Sequence, residues 1–394
     1  MGSIRSVGCV LGVLLLALEG CASSSATKSS APLAPAAEEA LAPDAPPIIL
    51  TQVEPAPVIA SNPAEPAASP IPAAPPLGLP ALRIRGPLDR PEVHAFIEEL
   101  ARLQHFDRQQ LAALFSTIKP RAKVVEAISR PAEAQPWHKY RPRFIQAQRI
   151  DQGAAYWRAH SQYFNAAQES FGVPPEIITA IMGVETRYGA NAGGFKVVES
   201  LVTLGFDYTP RTTFFRKELQ EFLLLCREEG WDPRSIKGSY AGAMGLGQFM
   251  PSTYRRFALD FDGDGRRDLH KSAADTIGSI AYYLYSHGWG AGAPIVVQVT
   301  TQGDAYTRFI TRDFKADTPL IEMRENGVTW DEGVVAERGG LFALENTGGI
   351  EHWVGFSNFY AITRYNRSVH YSMAVYELAQ EILRRRSVQL TESN

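Results

Sequence analysis

A long stretch without aromatic side chains confines the folded part of this chain to its C-terminal portion. From Ser23 to Pro80 the sequence is dominated by alanine, proline and serine. Such a segment cannot bury enough apolar surface to offset the entropy lost on ordering, and proline biases it toward extended conformations. We therefore expect residues 21–81 to form a disordered tether and the globular body to begin at residue 82.

The first twenty residues have the pattern of a secretory signal. Arg5 supplies a positive charge, and the apolar run from Val7 to Leu18 is shorter than the ~20 residues of a membrane-spanning helix. Residues 18–21 read Leu-Glu-Gly-Cys, which resembles the lipobox of bacterial lipoproteins. The resemblance implies that residues 1–20 are removed, that Cys21 is lipidated, and that the protein is anchored at the periplasmic face of the outer membrane. The alternative is an ordinary signal peptide, which would leave a soluble periplasmic protein.

The composition of the body excludes some classes of function. Cys226 is its only cysteine, so no internal disulfide can form, and its apolar neighbours at helical spacing predict a buried thiol rather than a catalytic one. The formal net charge of -3 argues against a nucleic acid as partner. We expect a monomer.

Apolar periodicity predicts a mainly helical body with a small β subdomain. The predicted helices are Pro175–Arg187, Thr212–Glu229, Pro251–Phe257, Ala273–His287 and Ser368–Arg385. The predicted strands are Pro294–Thr300 and Tyr306–Phe314. We divide the body into an N-terminal helical region (82–149), a catalytic core (150–293), the β subdomain (294–348) and a C-terminal helical return that completes a groove (349–394).

Glu185 is the first candidate for catalysis. It follows Ile178, Ile181 and Met182 on one face of a predicted helix and lies near the C-terminal end of that helix. Desolvation and the negative end of the helix dipole both favour the protonated carboxyl group, which predicts a raised pKa. A carboxylic acid that is protonated near neutral pH can act as the general acid in glycoside cleavage. On these residues alone, a structural glutamate paired with Arg187 is an equal alternative.

A glycine-rich segment, residues 238–252, is the second feature. Small residues allow the backbone to approach a ligand closely, and Ser239, Gln248 and Phe249 offer hydroxyl, amide and ring groups suited to sugars. Taken alone, the segment is equally well explained as a tight structural loop.

These segments, together with others in the same order, resemble the membrane-bound lytic murein transglycosylase B family. The resemblance covers residues 90–385. It rests on the following segments: 172–178 (GVPPEII), 183–189 (GVETRYG), 206–208 (FDY), 239–252, 358–360 (NFY) and 364–368 (RYNRS).

The resemblance implies a lysozyme-like α+β core with added helical segments and one catalytic carboxyl group, Glu185. That residue would protonate the glycosidic oxygen and then accept the proton of the muramoyl C6 hydroxyl, forming a 1,6-anhydromuramoyl end without any cofactor. Peptidoglycan glycan strands are the implied substrate. The implied binding residues are Arg211, Ser239, Gln248, Phe249, Tyr283, Tyr365, Asn366 and Tyr371.

Residues 260–268 open like a calcium-binding EF-hand loop. Aspartates occupy its first, third and fifth positions, and glycine occupies the sixth: Asp260, Asp262, Asp264 and Gly265. The twelfth position, where a glutamate is usual, holds Lys271. The family carries a lengthened loop here, which implies a structural calcium ion closed by Asp275, with a backbone carbonyl from Arg266. The alternative is a metal-free turn.

Two other functions remain open at the level of sequence. A lysozyme-type muramidase would use water and a second carboxylate, for which Glu199 and Asp207 are candidates. A non-catalytic peptidoglycan-binding lipoprotein would use the same groove only as an anchor.

Overall fold

The computed structural model describes residues 87–129, 135–310, 314–331 and 333–392. The predicted signal peptide, the lipidation site Cys21 and the tether lie outside the described residues. None of the described helices combines the length and the apolar character that crossing a membrane requires.

The described residues form fourteen α-helices, and most of them precede the sheet. In chain order they are α1 (Pro91–Gln104), α2 (Arg108–Thr117), α3 (Ala122–Ile128), α4 (Trp137–Tyr140), α5 (Ala147–Ala159), α6 (Ser161–Phe171), α7 (Pro175–Thr186), α8 (Val197–Asp207), α9 (Thr212–Glu228), α10 (Pro251–Phe257), α11 (Ala273–Ser286), α12 (Leu320–Glu325), α13 (Ser357–Ile362) and α14 (Val369–Glu392).

Two antiparallel sheets accompany these helices. The first is a short ribbon of β1 (Phe195–Lys196) and β2 (Lys237–Gly238). The second has the order β4-β6-β7-β3-β5. Its strands are β3 (Val296–Thr301), β4 (Thr318–Pro319), β5 (Val328–Thr329), β6 (Arg338–Asn346) and β7 (Gly349–Gly355).

The helix starts follow from the sequence. Proline occupies the first position of α1, α7 and α10, where its missing N–H group would have had no partner inside the helix. The side chain of Ser272 accepts a hydrogen bond from the backbone N–H of Asp275 and so caps α11.

The last helix returns to the first half of the molecule. α14 packs against α7 and α5, while α11 packs against α6 and α7. Helix α7 is therefore surrounded by neighbours, and nine of its twelve residues are buried. From the N-terminal region, Trp137 and Tyr140 of α4 pack into one apolar cluster with Phe342 of β6 and Phe359 of α13.

The structure confirms the mainly helical fold with a small sheet, and it corrects three details. The strand predicted at Tyr306–Phe314 is wrong, because residues Ala305–Phe309 form a 3-10 helix that buries Phe309 under the sheet. The sheet does not end at residue 348, since β6 and β7 form a hairpin that continues it to Gly355. The predicted boundary at residue 150 falls inside α5.

Candidate active site

Glu185 lies in the last turn of α7. Its side chain is half-buried, whereas Met182, one turn earlier, is fully buried. Beyond the helix, Arg187 and Tyr188 both adopt left-handed backbone conformations, with φ of 52° and 59°. Such conformations are uncommon for residues other than glycine, so the surrounding contacts must hold them. The helix thus ends directly after the residue whose carboxyl group remains partly open to solvent.

The hydroxyl group of Tyr371 donates a hydrogen bond to Oε1 of Glu185 at 2.6 Å. Tyr371 belongs to the first turn of α14, and its side chain is buried. Burial, followed by the charge of the Glu185 carboxylate, raises the pKa of Tyr371 well above its ordinary value. The hydroxyl therefore keeps its proton at neutral pH and remains available as a donor to the carboxylate.

Three further aromatic side chains, Phe249, Tyr283 and Tyr365, form a cluster beside Tyr371. The rings of Tyr365 and Tyr371 are nearly parallel, with centroids 6.4 Å apart. The ring centroid of Tyr283 is 5.2 Å from that of Tyr365, and that of Phe249 is 5.7 Å from both. Burial, and then the Glu185 charge, raises the pKa of Tyr365. The cluster and the carboxyl group therefore share one electrostatic environment.

Backbone carbonyl groups fix the hydroxyl groups of this cluster. Tyr283 donates to the carbonyl of Arg364 at 2.6 Å, and Tyr365 donates to the carbonyl of Gly247 at 2.5 Å. A Cβ atom at position 247 would lie 3.0 Å from the Tyr365 hydroxyl, so glycine permits this approach. The ring positions are thus determined before any ligand binds.

The glycine-rich loop uses two of the predicted binding residues for its own structure. Ser239 Oγ accepts a hydrogen bond from the backbone N–H of Ala243 at 3.0 Å. Gln248 has a left-handed backbone, with φ of 51°, and its Nε2 donates to the carbonyl groups of Gly245 and Ala192. These contacts stabilise the loop, and a role for either side chain in binding sugars stays a prediction.

The remaining two predicted binding residues are Asn366, which directly follows Tyr365, and Arg211, which precedes the cluster in sequence. Asn366 is half-buried, and its carbonyl accepts from the N–H of Ser368 at 2.7 Å. Arg211 precedes α9, and its guanidinium carbon is 4.2 Å from the ring centroid of Phe214. Burial lowers the pKa of Arg211. Within the described ranges, no hydrogen bond joins Arg211 to the aromatic cluster.

Thr186 is a structural component of the site that the sequence did not reveal. Its hydroxyl donates to the carbonyl of Leu246 at 2.9 Å and accepts from the N–H of Gly189 at 3.0 Å. The hydroxyl therefore joins the end of α7 to the glycine-rich loop and to the turn that follows Glu185. A threonine beside a catalytic candidate is no signal by itself, because its partner lies sixty residues away.

Both acids considered as a second catalytic carboxylate form ion pairs with the N-terminal region. Glu199 accepts from Arg121 Nε at 2.7 Å, and Asp207 lies 2.6 Å from a guanidinium nitrogen of Arg90. Glu199 therefore connects α8 to the residue before α3, and Asp207 connects α8 to the residue before α1. These pairs give the two acids a structural role.

The loop before α11 brings three carboxylate groups together. One oxygen atom each from Asp260, Asp262 and Asp264 lies within 4.8 Å of the others, and all three side chains are exposed. Oxygen donors in this arrangement fit a calcium ion. Asp275 is not part of that group. It is buried, and its two carboxylate oxygens accept from the N–H groups of Phe261 and Asp268, which holds the two ends of the loop together.

Comparison with known proteins gives consistent matches over the body of the chain. Residues 89–380 match the family described as the transglycosylase SLT domain. Over 305 residues the chain is 37% identical to the membrane-bound lytic murein transglycosylase B of Escherichia coli (strain K12). The match covers 75% of this chain and 83% of that protein.

Solved structures agree with this match. The soluble lytic transglycosylase SltB1 from Pseudomonas aeruginosa is 45% identical, with a TM-score of 0.71, over 75% of this chain and 100% of that one. The Escherichia coli lytic transglycosylase Slt35 in complex with calcium is 38% identical, with a TM-score of 0.70, over 76% of this chain and 95% of that one.

Proposed function

The chain belongs to the transglycosylase SLT domain family, and on that premise we propose that it cleaves the glycan strands of peptidoglycan. The bond cleaved is the β-1,4 linkage between N-acetylmuramic acid and N-acetylglucosamine. The reaction is non-hydrolytic and leaves a 1,6-anhydromuramoyl end. The lysozyme-like fold is that of lytic transglycosylases, and their chemistry requires no cofactor.

The observation that carries this proposal is the hydrogen bond from Tyr371 to Glu185. A single carboxyl group that acts first as acid and then as base needs one fixed orientation in both protonation states. The tyrosine hydroxyl can donate to Oε1 whether or not the other carboxyl oxygen carries a proton, so it holds the group in both states. Because Tyr371 binds Oε1, we assign the proton transfer to Oε2.

The reaction then proceeds through one residue. Glu185 donates its proton to the glycosidic oxygen, and the bond from that oxygen to muramoyl C1 breaks. The carboxylate next accepts the proton of the C6 hydroxyl as its oxygen bonds to C1. Glu185 regains the proton that it donated, so the reaction consumes no water and needs no second carboxylate. The ion pairs of Glu199 and Asp207 support this mechanism over a muramidase that uses two carboxylates.

The aromatic cluster supports the sugar-binding surface in this proposal. Tyr365 is half-buried and would contact the sugar, while the buried rings of Phe249 and Tyr283 would hold it in place. Asn366, Ser239, Gln248 and Arg211 would add polar contacts. The preset ring positions mean that little ordering entropy is lost when the strand binds.

Calcium has a structural role in this proposal. Asp260, Asp262, Asp264 and the carbonyl of Arg266 would hold the ion, and Asp275 would keep the loop closed through its two backbone contacts. The related Slt35 structure contains calcium, which supports this assignment. The ion would stabilise the connection between α10 and α11. Tyr283 belongs to α11.

We also propose that Cys21 carries the lipid anchor at the outer membrane. The Escherichia coli relative is described as membrane-bound and the Pseudomonas relative as soluble, so both localisations occur among relatives. Fractionation of cells that express Cys21→Ser tests this point. The variant should move from the membrane to the soluble fraction, and an unchanged distribution would refute the anchor.

The direct test of the catalytic assignment is Glu185→Gln, with Glu176→Gln on the same helix as its matched control. Loss of the acid and base should lower the rate of turbidity loss from purified sacculi by about 10³-fold or more, because proton transfer of this kind contributes ~10²–10⁴-fold per step. The control should stay within about twofold of the parent. Retention of full lytic activity by Glu185→Gln would refute the assignment.

A further inference from the structure

A pocket of about 450 Å³ lies beside the ribbon of β1 and β2, at the N-terminal end of α8. None of its lining residues belongs to the site around Glu185. The side chains that matter for its chemistry are Arg121, Lys123, Lys196, Lys237, Glu199 and Ser200. Four of these are cations and one is a carboxylate, so the lining carries a net charge of +3.

The positive charge of this pocket is not neutralised within the described part of the chain. Glu199 is paired with Arg121 at 2.7 Å, whereas the three lysines form no ion pair with any described residue. Lys196 and Lys237 are moreover direct partners across the antiparallel ribbon. Like charges directly opposite each other destabilise a ribbon. An anion between them would remove that cost.

Ser200 gives an independent indication of a ligand. Its side chain is fully buried, it lines the pocket, and its Oγ has no hydrogen-bond partner among the described residues. A buried hydroxyl without a partner costs about 1–3 kcal/mol, so such groups are normally satisfied. The hydroxyl lies in the first turn of α8, where the helix dipole also favours an anion.

The position of the pocket indicates which anion it takes. Strand β2 forms one edge of the pocket and continues directly into Ser239 at the start of the glycine-rich loop, so the pocket adjoins the proposed glycan groove. Peptidoglycan strands carry stem peptides with free carboxylate groups and small apolar side chains. Pro120, Ala122 and Phe195 supply an apolar lining that fits such side chains.

We propose that this pocket binds the carboxylate groups of a stem peptide on the strand that occupies the groove. The inference rests on the proposed function and defines its substrate more closely: strands that carry peptides are preferred over bare glycan. Lys196 and Lys237 bind the carboxylate from the ribbon, and the Ser200 hydroxyl donates to it from α8.

The test compares two substrates, purified glycan strands with stem peptides and the same strands after an amidase has removed the peptides. The variants are Lys196→Gln/Lys237→Gln and Ser200→Ala, and the control is Arg102→Gln, an exposed cation on α1. The parent and the control should show the lower KM on peptide-bearing strands. The double variant should raise that KM roughly three- to tenfold, with kcat and the activity on bare strands unchanged.

Ser200→Ala gives a readout that a merely structural role would not produce. Removal of an unpartnered buried hydroxyl should leave the melting temperature unchanged or higher, while the KM for peptide-bearing strands rises severalfold. Equal KM values for parent and variants on both substrates would overturn the peptide subsite and leave the proposed function intact. Failure of the parent to cleave either substrate would instead refute the proposed function.

A titration distinguishes the stem peptide from other anions. Free stem tetrapeptide should bind the parent protein more tightly than its C-terminal amide does, and the double variant should lose that difference. Inorganic phosphate that binds as tightly as the peptide and competes with it would overturn the proposal and identify the pocket as a phosphate site.

Discussion

At the scale of single residues, the proposed chemistry depends on a contact between side chains 186 positions apart, those of Glu185 and Tyr371. The hydroxyl fixes the carboxyl group in one orientation, and the stack of Tyr371 on Tyr365 fixes the hydroxyl. General acid catalysis requires a proton donor within hydrogen-bond reach of the leaving oxygen, so small rotations of this carboxyl group reduce the rate.

Tyr371→Phe should lower kcat by about 10- to 100-fold with little change in KM, because the ring remains and only the orienting hydroxyl is lost. The pKa of Tyr371 is raised well above its usual value, so the hydroxyl stays protonated as the pH rises. The ratio of parent to variant activity should therefore remain constant up to about pH 9.5, near the ordinary tyrosine pKa of about 10. Steady-state kinetics across this range measure both quantities. A ratio that falls toward one below pH 9 would contradict the account, as would a variant with unchanged kcat.

The sequence predicts candidate residues for this site, but it does not predict the contacts that those residues make. The apolar face of α7 predicted where Glu185 lies, because helical periodicity is a local property. The pairing of Glu185 with Tyr371, and of Thr186 with Leu246, depends on how distant elements meet, and no local pattern encodes that. The raised pKa predicted for Glu185 from its helix position stays a prediction.

At the scale of elements, the close approach of α5 and α7 determines where α7 ends. Gly153 on α5 and Gly183 on α7 both face the hydroxyl of Tyr188, which donates to the carbonyl of Arg149 at 3.0 Å. A Cβ atom at position 183 would lie 2.5 Å from that hydroxyl and 2.8 Å from the ring carbon that bears it. Tyr188 belongs to the left-handed turn after Glu185, so this packing maintains the turn.

Gly183→Ala should therefore destabilise the protein, although alanine normally stabilises the interior of a helix by about 1 kcal/mol relative to glycine. Overpacking costs about 1–3 kcal/mol and should displace Tyr188, which would also lower the activity.

Chemical denaturation measures the free energy of unfolding, and Gly348→Ala is the control, because a Cβ atom there meets nothing within 4 Å. The addition of Tyr188→Phe should recover part of the loss, since it removes the closest atom. A Gly183→Ala variant that is more stable than the parent would show that the helices are not held this closely.

The elements also show where local patterns mislead. Val197, Val198 and Val202 lie in a segment rich in β-branched residues, yet α8 is a helix because it is buried against α9 and α3. At Tyr306 the alternating residues predicted a strand, whereas the chain forms a 3-10 helix. Tertiary packing decided both cases, whereas the proline-initiated helices α7 and α10 began at the predicted residues.

At the scale of the whole molecule, the loop that carries Asp260, Asp262 and Asp264 connects α10 and α11. Without a cation, three carboxylates with oxygen atoms within 4.8 Å of one another repel, and that repulsion opposes the folded loop. A bound calcium ion would reverse the sign of this local interaction and stabilise the native state by mass action.

Removal of calcium by a chelator should therefore lower the melting temperature by roughly 5 °C, since an ion at a hundred times its Kd contributes about 2.7 kcal/mol. Calorimetry with and without the chelator measures the shift. Asp262→Asn should begin at a lower melting temperature and respond little to the chelator, whereas Asp331→Asn, at an exposed aspartate elsewhere, should behave like the parent. A parent protein that is indifferent to both calcium and chelator would refute the metal site.

The organisation of the whole molecule could be predicted only in outline. Composition separates the tether from the body, and periodicity indicates a mainly helical fold. The return of α14 onto α7 and the packing of α4 against the sheet join segments from opposite ends of the body, and neither contact leaves a periodic signal in the sequence.

Cleavage of purified sacculi in water enriched in ¹⁸O tests the central claim most directly. A soluble form that begins at residue 82 is incubated with the sacculi, and the released muropeptides are weighed by mass spectrometry. Intramolecular attack by the C6 hydroxyl predicts 1,6-anhydromuramoyl ends that contain no ¹⁸O. Reducing ends that are one water heavier and carry ¹⁸O would contradict the account, because they would show that water attacks C1 and that the enzyme is a hydrolase.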